Sequence, residues 1–206
     1  MTLATYAELL TTIADTLMRD DLTSVIPSFV AMGEARINRD VRHWRMEKRS
    51  TADLDTQYSV LPTDFVQPIR LQMVSGGEVK PVSTAQMLQL RADRSDLAGK
   101  PDSYALTAGT LELFPTPDQT YEASLVYYAR VPALSDTVTT NWLLTEAPDV
   151  YLYASLVHSA PYLREDARVQ VWEALAAQAI DRLNTSGAAT KYGGTGLVMR
   201  TRRGAP

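Results

Sequence analysis

Two histidines, His43 and His158, are the side chains of this 206-residue chain best suited to proton transfer or metal ligation. His158 lies in the run VYLYASLVHSAPYL at 150–163, which carries no formal charge. One helical turn away on either side stand Ala154, Ser155, Pro161 and Tyr162, so no carboxylate is spaced to orient the imidazole. Ser155 is one turn back, but a Ser-His pair without an orienting acid is a weak nucleophile. His158 therefore reads as a packing or interface residue. His43 sits in RDVRHWRMEKR at 39–49, where Arg39, Arg42, Arg45, Lys48 and Arg49 surround Trp44. Basic groups beside an aromatic ring suit phosphate and base contacts. Asp40 and Glu47 interrupt the run.

Other chemistry is excluded by what the sequence lacks. The histidines are 115 residues apart, with no HxH or HExxH spacing, so no metal site is expected. The absence of cysteine removes thiolate metal sites, disulfides and thiol nucleophiles. The glycine-rich GGTG at 193–196 lacks the Lys-Ser/Thr ending of a phosphate loop. Asp64, in LPTDF, reads as part of a turn before a strand. There is no paired-carboxylate motif, nucleophile elbow or dinucleotide fingerprint. The residues point to a binding or structural protein, not an enzyme, with no cofactor.

The elements that must position these residues alternate between two patterns. Thr5 and Glu8 have capping-box spacing, and Tyr6, Leu9, Leu10, Ile13 and Leu17 then recur at helical spacing. A second helix is expected from about Ser24, with Pro27 in its first turn and Phe29, Val30, Gly33, Ile37 and Val41 as its apolar stripe. From 49 to 135 the helical period fades and prolines and glycines recur. Ala108-Gly109 and Gly76-Gly77 predict hairpin turns, 121–129 a strand, and 83–92 a short helix. That middle region is expected to be an antiparallel β lobe of five or six strands. Helices return at 145, where Thr145 is a candidate cap and Pro148 lies in the first turn, and again after Glu165 and Asp166. Residues 184–187 are expected to stop the last helix. The predicted class is α+β. Helices at 1–48 and 136–184 form a bundle, 49–135 is an inserted β lobe, and 185–206 is an extended C-terminal arm.

The helix at 150–163 is too short to span a bilayer, which takes about 20 apolar residues; Asp149 and Arg164 flank it. A helix apolar nearly all round must be covered on most sides, by a tight bundle or a neighbouring subunit. Charge is uneven. Four of the 20 basic residues and none of the 24 acidic ones lie in 185–206, so that segment is +4 and the rest −8. Leu197, Val198 and Met199 add apolar anchors to the basic tail, the pattern of a segment that folds on a partner.

Several stretches taken together resemble a known family. They are ARINRDVRHWRMEKR, YSVLPTDFVQPIRL, LELFPTP, LVYYARVPAL and NWLLTEAPDVYLYASLVHSAPYLREDARVQVWEA. In order and spacing, from about residue 5 to 184, they are similar to tailed-bacteriophage head-to-tail adaptors, also called head-completion or connector proteins. The resemblance implies a structural virion protein at the head-to-tail interface. It would form a homo-oligomeric ring, usually a dodecamer, between the portal protein and the tail or nozzle proteins, continuing the DNA channel. It implies subunit contacts through the apolar helix, at Tyr151, Tyr153, Leu156, His158 and Tyr162. It also implies a portal-docking arm carrying Tyr192, Leu197, Val198, Met199, Arg200, Arg202 and Arg203. An acidic body suits a channel that passes DNA without binding it. No membrane is involved. The alternative reading is a nucleic-acid-binding module using the 39–49 run and the basic tail.

Overall fold

The computed structural model describes residues 3–95, 97–163 and 167–193. The chain is α+β, with six α-helices and a seven-stranded sheet among those residues. It divides into two compact units. One is Arg45–Arg130; the other joins the residues up to Trp44 with those from Val131 onward.

The second of these units is helical. Helix α1 (Tyr6–Leu17) starts at a complete capping box: the Glu8 amide donates to Thr5 Oγ1, and the Thr5 amide donates to Glu8 Oε2. Its period buries Tyr6, Leu9, Ile13 and Leu17. Helix α2 (Ile26–Asp40) has proline in its first turn and buries Phe29, Val30, Gly33 and Ile37, with Val41 just beyond. Helix α4 (Trp142–Glu146) is short and is capped by Asn141, which accepts from the Leu144 amide. Helix α5 (Pro148–Val157) follows after one residue, and a 3-10 turn, Ala160–Tyr162, comes next. The sequence expectation of a single helix capped by Thr145 is thus corrected. Asn141 supplies the cap, and the break at Ala147 lets Pro148 open a new helix without an unmade N–H bond.

Helix α5 is the centre of this unit and packs on α1, α2, α4 and α6. The α2–α5 crossing is close because Gly33 has no side chain: a Cβ there would meet Ser155 Oγ at 3.0 Å. Helix α6 runs Arg168–Tyr192, through the 184–187 stretch expected to end it. Its two supposed stop residues are packing residues. Asn184 Oδ1 accepts from the Arg42 amide and its Nδ2 donates to the Asp40 carbonyl. Gly187 lies against the His43 ring, where a Cβ would come within 2.3 Å of Cδ2. Residues 185–192 therefore belong to a helix, not to an extended arm.

The other unit is a sheet built from β1 (Glu47–Leu54), β2 (Tyr58–Val60), β3 (Phe65–Met73), β4 (Glu78–Pro81), β5 (Ser103–Thr107), β6 (Thr110–Phe114) and β7 (Tyr121–Ala129). The order is β1-β7-β3-β4-β5-β6-β2. It is not wholly antiparallel, as the sequence pattern suggested. Strands β4 and β5 are parallel, which requires the crossover that α3 (Thr84–Asp93) provides. Ala108 and Gly109 have φ of 47° and 82°, the left-handed pair that a tight β5–β6 turn needs. Pro68 sits inside β3 at register shifts against β7, where a missing N–H is tolerated. The core is Leu54, Leu71, Met73, Leu113, Tyr127 and their neighbours. Helix α3 is tied to β6 by Arg91, whose Nε lies 2.9 Å from Glu112 Oε1 and whose Nη2 donates to the Leu113 carbonyl.

Candidate functional site

Of the five side chains expected at a subunit contact, two have no surface. Tyr151 and Leu156 are each 0% exposed within their own chain. Most of the apolar circumference of α5 is covered by four helices of the same unit, with Leu152, Tyr153 and Val157 left partly exposed. Tyr151 also spends its polar end internally. Asn141 Nδ2 donates to its hydroxyl at 2.7 Å, and the hydroxyl reaches Glu34 Oε1 at 3.5 Å. Burial holds its phenol well above the ordinary range, and the nearby Glu34 carboxylate adds to this.

Tyr153, His158 and Tyr162 keep partial exposure. Tyr162 is 45% exposed and rests its ring on Phe29 of α2, centroids 5.3 Å apart. His158 closes α5, its amide donating to the Ser155 carbonyl. Its pKa is lowered, chiefly by burial and then by Arg36 and Arg39, so the ring is held neutral. Beside it Arg36 makes a two-pronged pair with Glu173, at 2.6 and 2.7 Å, joining α2 to α6. The Nε2 of His158 is buried without a hydrogen-bond partner, as is Ser155 Oγ. Neutral, and with the nearby Glu173 carboxylate taken up by Arg36, His158 has the setting of a packing side chain.

The 39–49 run is dispersed. Arg42 Nη1 donates to the Asn38 and Val41 carbonyls, closing the C-terminus of α2. His43 is buried and stacks on Trp142 at 5.2 Å and 19°. Lys48, in β1, donates to Asp64 Oδ2 at 2.7 Å. Asp64 is thus a knot in the sheet unit: it also accepts from Tyr127 Oη and, through its carbonyl, from the Arg130 amide. Lys48 holds the Asp64 carboxyl below its ordinary value; burial first and Asp64 second push the Tyr127 phenol up to about 12.

Of the residues expected on the docking arm, Tyr192 ends α6, exposed, with the Lys191 ammonium over its ring. Leu197, Val198, Met199, Arg200, Arg202 and Arg203 lie outside the described residues.

Sequence reasoning missed two features. Glu34 and Asn38, polar residues of α2 that the sequence analysis did not single out, pin the returning chain. Glu34 Oε1 accepts from the Leu134 amide and Asn38 Oδ1 from the Val131 amide. Burial raises the Glu34 pKa in spite of those bonds. The second is an apolar cavity of about 270 Å³ in the sheet unit, lined by Ala52, Leu54, Val60, Leu71, Leu111 and Leu125 among others. Its only sequence signal is the apolar YSVL after the polar β1.

Among the described residues no group of three or more His, Asp or Glu is placed to hold a metal. No described helix is long and apolar enough to cross a membrane. No curated protein matches the chain. A family model described as SU10 adaptor protein matches residues 4–200, through both units. With a match of that length, the chain belongs to the SU10 adaptor protein family, a family of phage adaptors with a structural role.

Proposed function

We propose that this chain is a ring-forming adaptor that sits at the head-to-tail vertex of the virion, joins the portal to the tail or nozzle, and continues the DNA channel. The observation that carries this reading is the family match over residues 4–200, which takes in both units and the segment beyond α6. In this reading the helical unit is a bundle carrying the sheet unit as a lobe. Tyr153, His158 and Tyr162 face a neighbouring copy in a ring, expected to be a dodecamer. Residues beyond Tyr192 form the arm that docks on the portal, through Leu197, Val198 and Met199 as apolar anchors and Arg200, Arg202 and Arg203 as charged contacts. The −8 charge outside 185–206 supports a channel that repels DNA phosphates.

The test is the particle mass of this protein mixed with the portal ring of the same phage. A discrete complex heavier than the portal is expected, and its mass gives the copy number. A lone monomer persisting at high concentration would overturn the reading. Removing residues 192–206 should leave the fold unchanged and weaken attachment to the portal. Unchanged attachment would remove the arm's docking role.

A further inference from the structure

The sheet unit has two edges, and they face each other. Strands β1 and β2 are at opposite ends of the strand order, yet only residues 55–57 separate them in the chain. Both line the same apolar cavity: Ser50, Ala52 and Leu54 from β1, Ser59 and Val60 from β2. The sheet therefore curls until its edges border one opening, without a hydrogen-bonded ladder across it. Val60, at that rim, is 84% exposed. Strand β1 pairs with β7 along all eight residues and is an edge on its other side among the described residues. A long unblocked edge is a template for an added strand. An engineered apolar cavity of about 150 Å³ holds a benzene, so about 270 Å³ accommodates two aliphatic side chains.

We infer that the Leu197-Val198-Met199 segment of a second copy of this chain adds to the β1 edge, parallel to β1, and seats Leu197 and Met199 in this cavity. Three observations select that occupant and direction. First, a strand presents alternate residues to one face, and Leu197 and Met199 are the alternating apolar pair of a segment beyond the end of α6. Second, β1 alternates too: Ser50, Ala52 and Leu54 face the cavity, which leaves Thr51 and Asp53 on the opposite face. Third, the charges match better in one direction than in the other. Asp53 stands directly opposite Glu122 of β7, a like-charged pair that is unfavourable as it stands, and Asp55 follows. With Leu197 beside Ser50 and Met199 beside Ala52, the same register puts Val198 beside Thr51, Arg200 beside Asp53 and Arg202 beside Asp55. Run antiparallel over the same two seats, Arg200 would instead meet Arg49 and Arg202 would meet Glu47, and neither Asp53 nor Asp55 would gain an arginine. The inference concerns the free protein and does not rest on the adaptor reading. An arm seated here is unavailable to a portal.

The chain has no cysteine, so crosslinks can be placed singly. Thr51→Cys and Val198→Cys are made in separate full-length preparations, one carrying an affinity tag. They are then mixed under mild oxidation. Val171→Cys, at an exposed position on α6, replaces Thr51→Cys as the comparator. Seating raises the local thiol concentration, so the 51–198 crosslinked dimer should form at least roughly ten-fold faster than the 171–198 dimer. Adding Leu197→Asp and Met199→Asp to the Val198→Cys chain should abolish that preference. Equal rates for the two pairs, or a preference that survives the aspartates, overturns the inference. So does a chain carrying both Thr51→Cys and Val198→Cys that closes on itself in preference to a second copy, since the cavity would then hold its own arm. No portal is present in any of these mixtures, so failure leaves the adaptor reading to its own test.

Discussion

Helix α5 and the β1–β2 rim treat apolar side chains in contrary ways. Nearly every side of α5 is apolar in sequence, and its own unit covers most of it, with Tyr151, Ala154 and Leu156 fully buried and Leu152, Tyr153 and Val157 partly so. The β1 sequence EKRSTADL is mostly polar and looks like solvated surface, yet it borders an open apolar cavity with Val60 at its rim. Apolarity in a sequence reports how much cover a segment needs, not who supplies it. The surface left over for a partner is instead found where a polar edge strand leaves the interior uncapped.

That contrast breaks first by truncation in the centre of each region. Leu156→Ala removes a side chain with no solvent contact and should cost about 2–5 kcal/mol of unfolding free energy. Val60→Ser, at the rim, should stay within about 0.5 kcal/mol. Chemical denaturation of the free protein measures both. A small loss at Leu156 would mean that α5 is not held by its own unit and would return it to the subunit interface.

The sheet unit has its own demanding point away from the rim. Arg91 and Glu112 are mostly buried at the α3–β6 contact, and Arg91 also satisfies the Leu113 carbonyl. Removing one partner leaves the other charge buried and uncompensated, so Arg91→Ala should cost about 2–4 kcal/mol. The double variant Arg91→Met, Glu112→Leu should recover most of that, because neither charge is then stranded. Equal losses in the two proteins would show that packing of the arginine stem, not the charge pair, joins α3 to the sheet.

Much of this was legible in the sequence where local chemistry decides the outcome. The Thr5–Glu8 box, proline in the first turns of α2 and α5, the Ala108-Gly109 turn and the period-two run of β7 all act within a few residues, and each element appears where its signal lies. What was illegible depends on partners distant in the chain. Asn184 and Gly187 carry the composition of a helix stop; they are tolerated inside α6 because Arg42, Asp40 and His43 meet them there. Strand β1 has no apolar alternation to announce it, because it is an edge whose pairing is decided by β7. The parallel β4–β5 step is a property of topology that no local pattern encodes. Of the expected contact residues, three retain surface and two do not, since a sequence cannot tell a helix covered by its own chain from one covered by a neighbour.

Glu34 sharpens the comparison at the edge of the helical core. Its carboxylate accepts from the Leu134 amide and from Tyr151, so Glu34→Ala leaves a backbone donor unmet and should cost about 1–3 kcal/mol. The pH dependence has a definite sign. Burial raises the folded-state pKa above the ordinary carboxylate value, so the folded protein holds the proton more tightly than the unfolded chain. This group therefore favours folding below the unfolded pKa, and that contribution falls as pH rises through the folded value. Glu34→Gln keeps an acceptor oxygen and should flatten this descending part of the stability curve. A curve unchanged by the substitution would place the titration elsewhere.

The smallest effect belongs to His158, at the end of α5 where core gives way to surface. Burial and the nearby Arg36 and Arg39 lower its pKa, so the unfolded chain takes up a proton more readily than the folded one. Stability should therefore be complete above the unfolded histidine pKa and should decline as pH falls through that value toward the folded one. In His158→Gln this acid-side slope should vanish while stability at neutral pH changes little, because the side chain keeps its size and gains a donor for the buried site. The measurement is paired denaturation curves of the two proteins across the acidic range. Should His158→Gln lose stability at neutral pH and keep the slope, the ring would be serving as packing against α2 and α6 with its charge irrelevant.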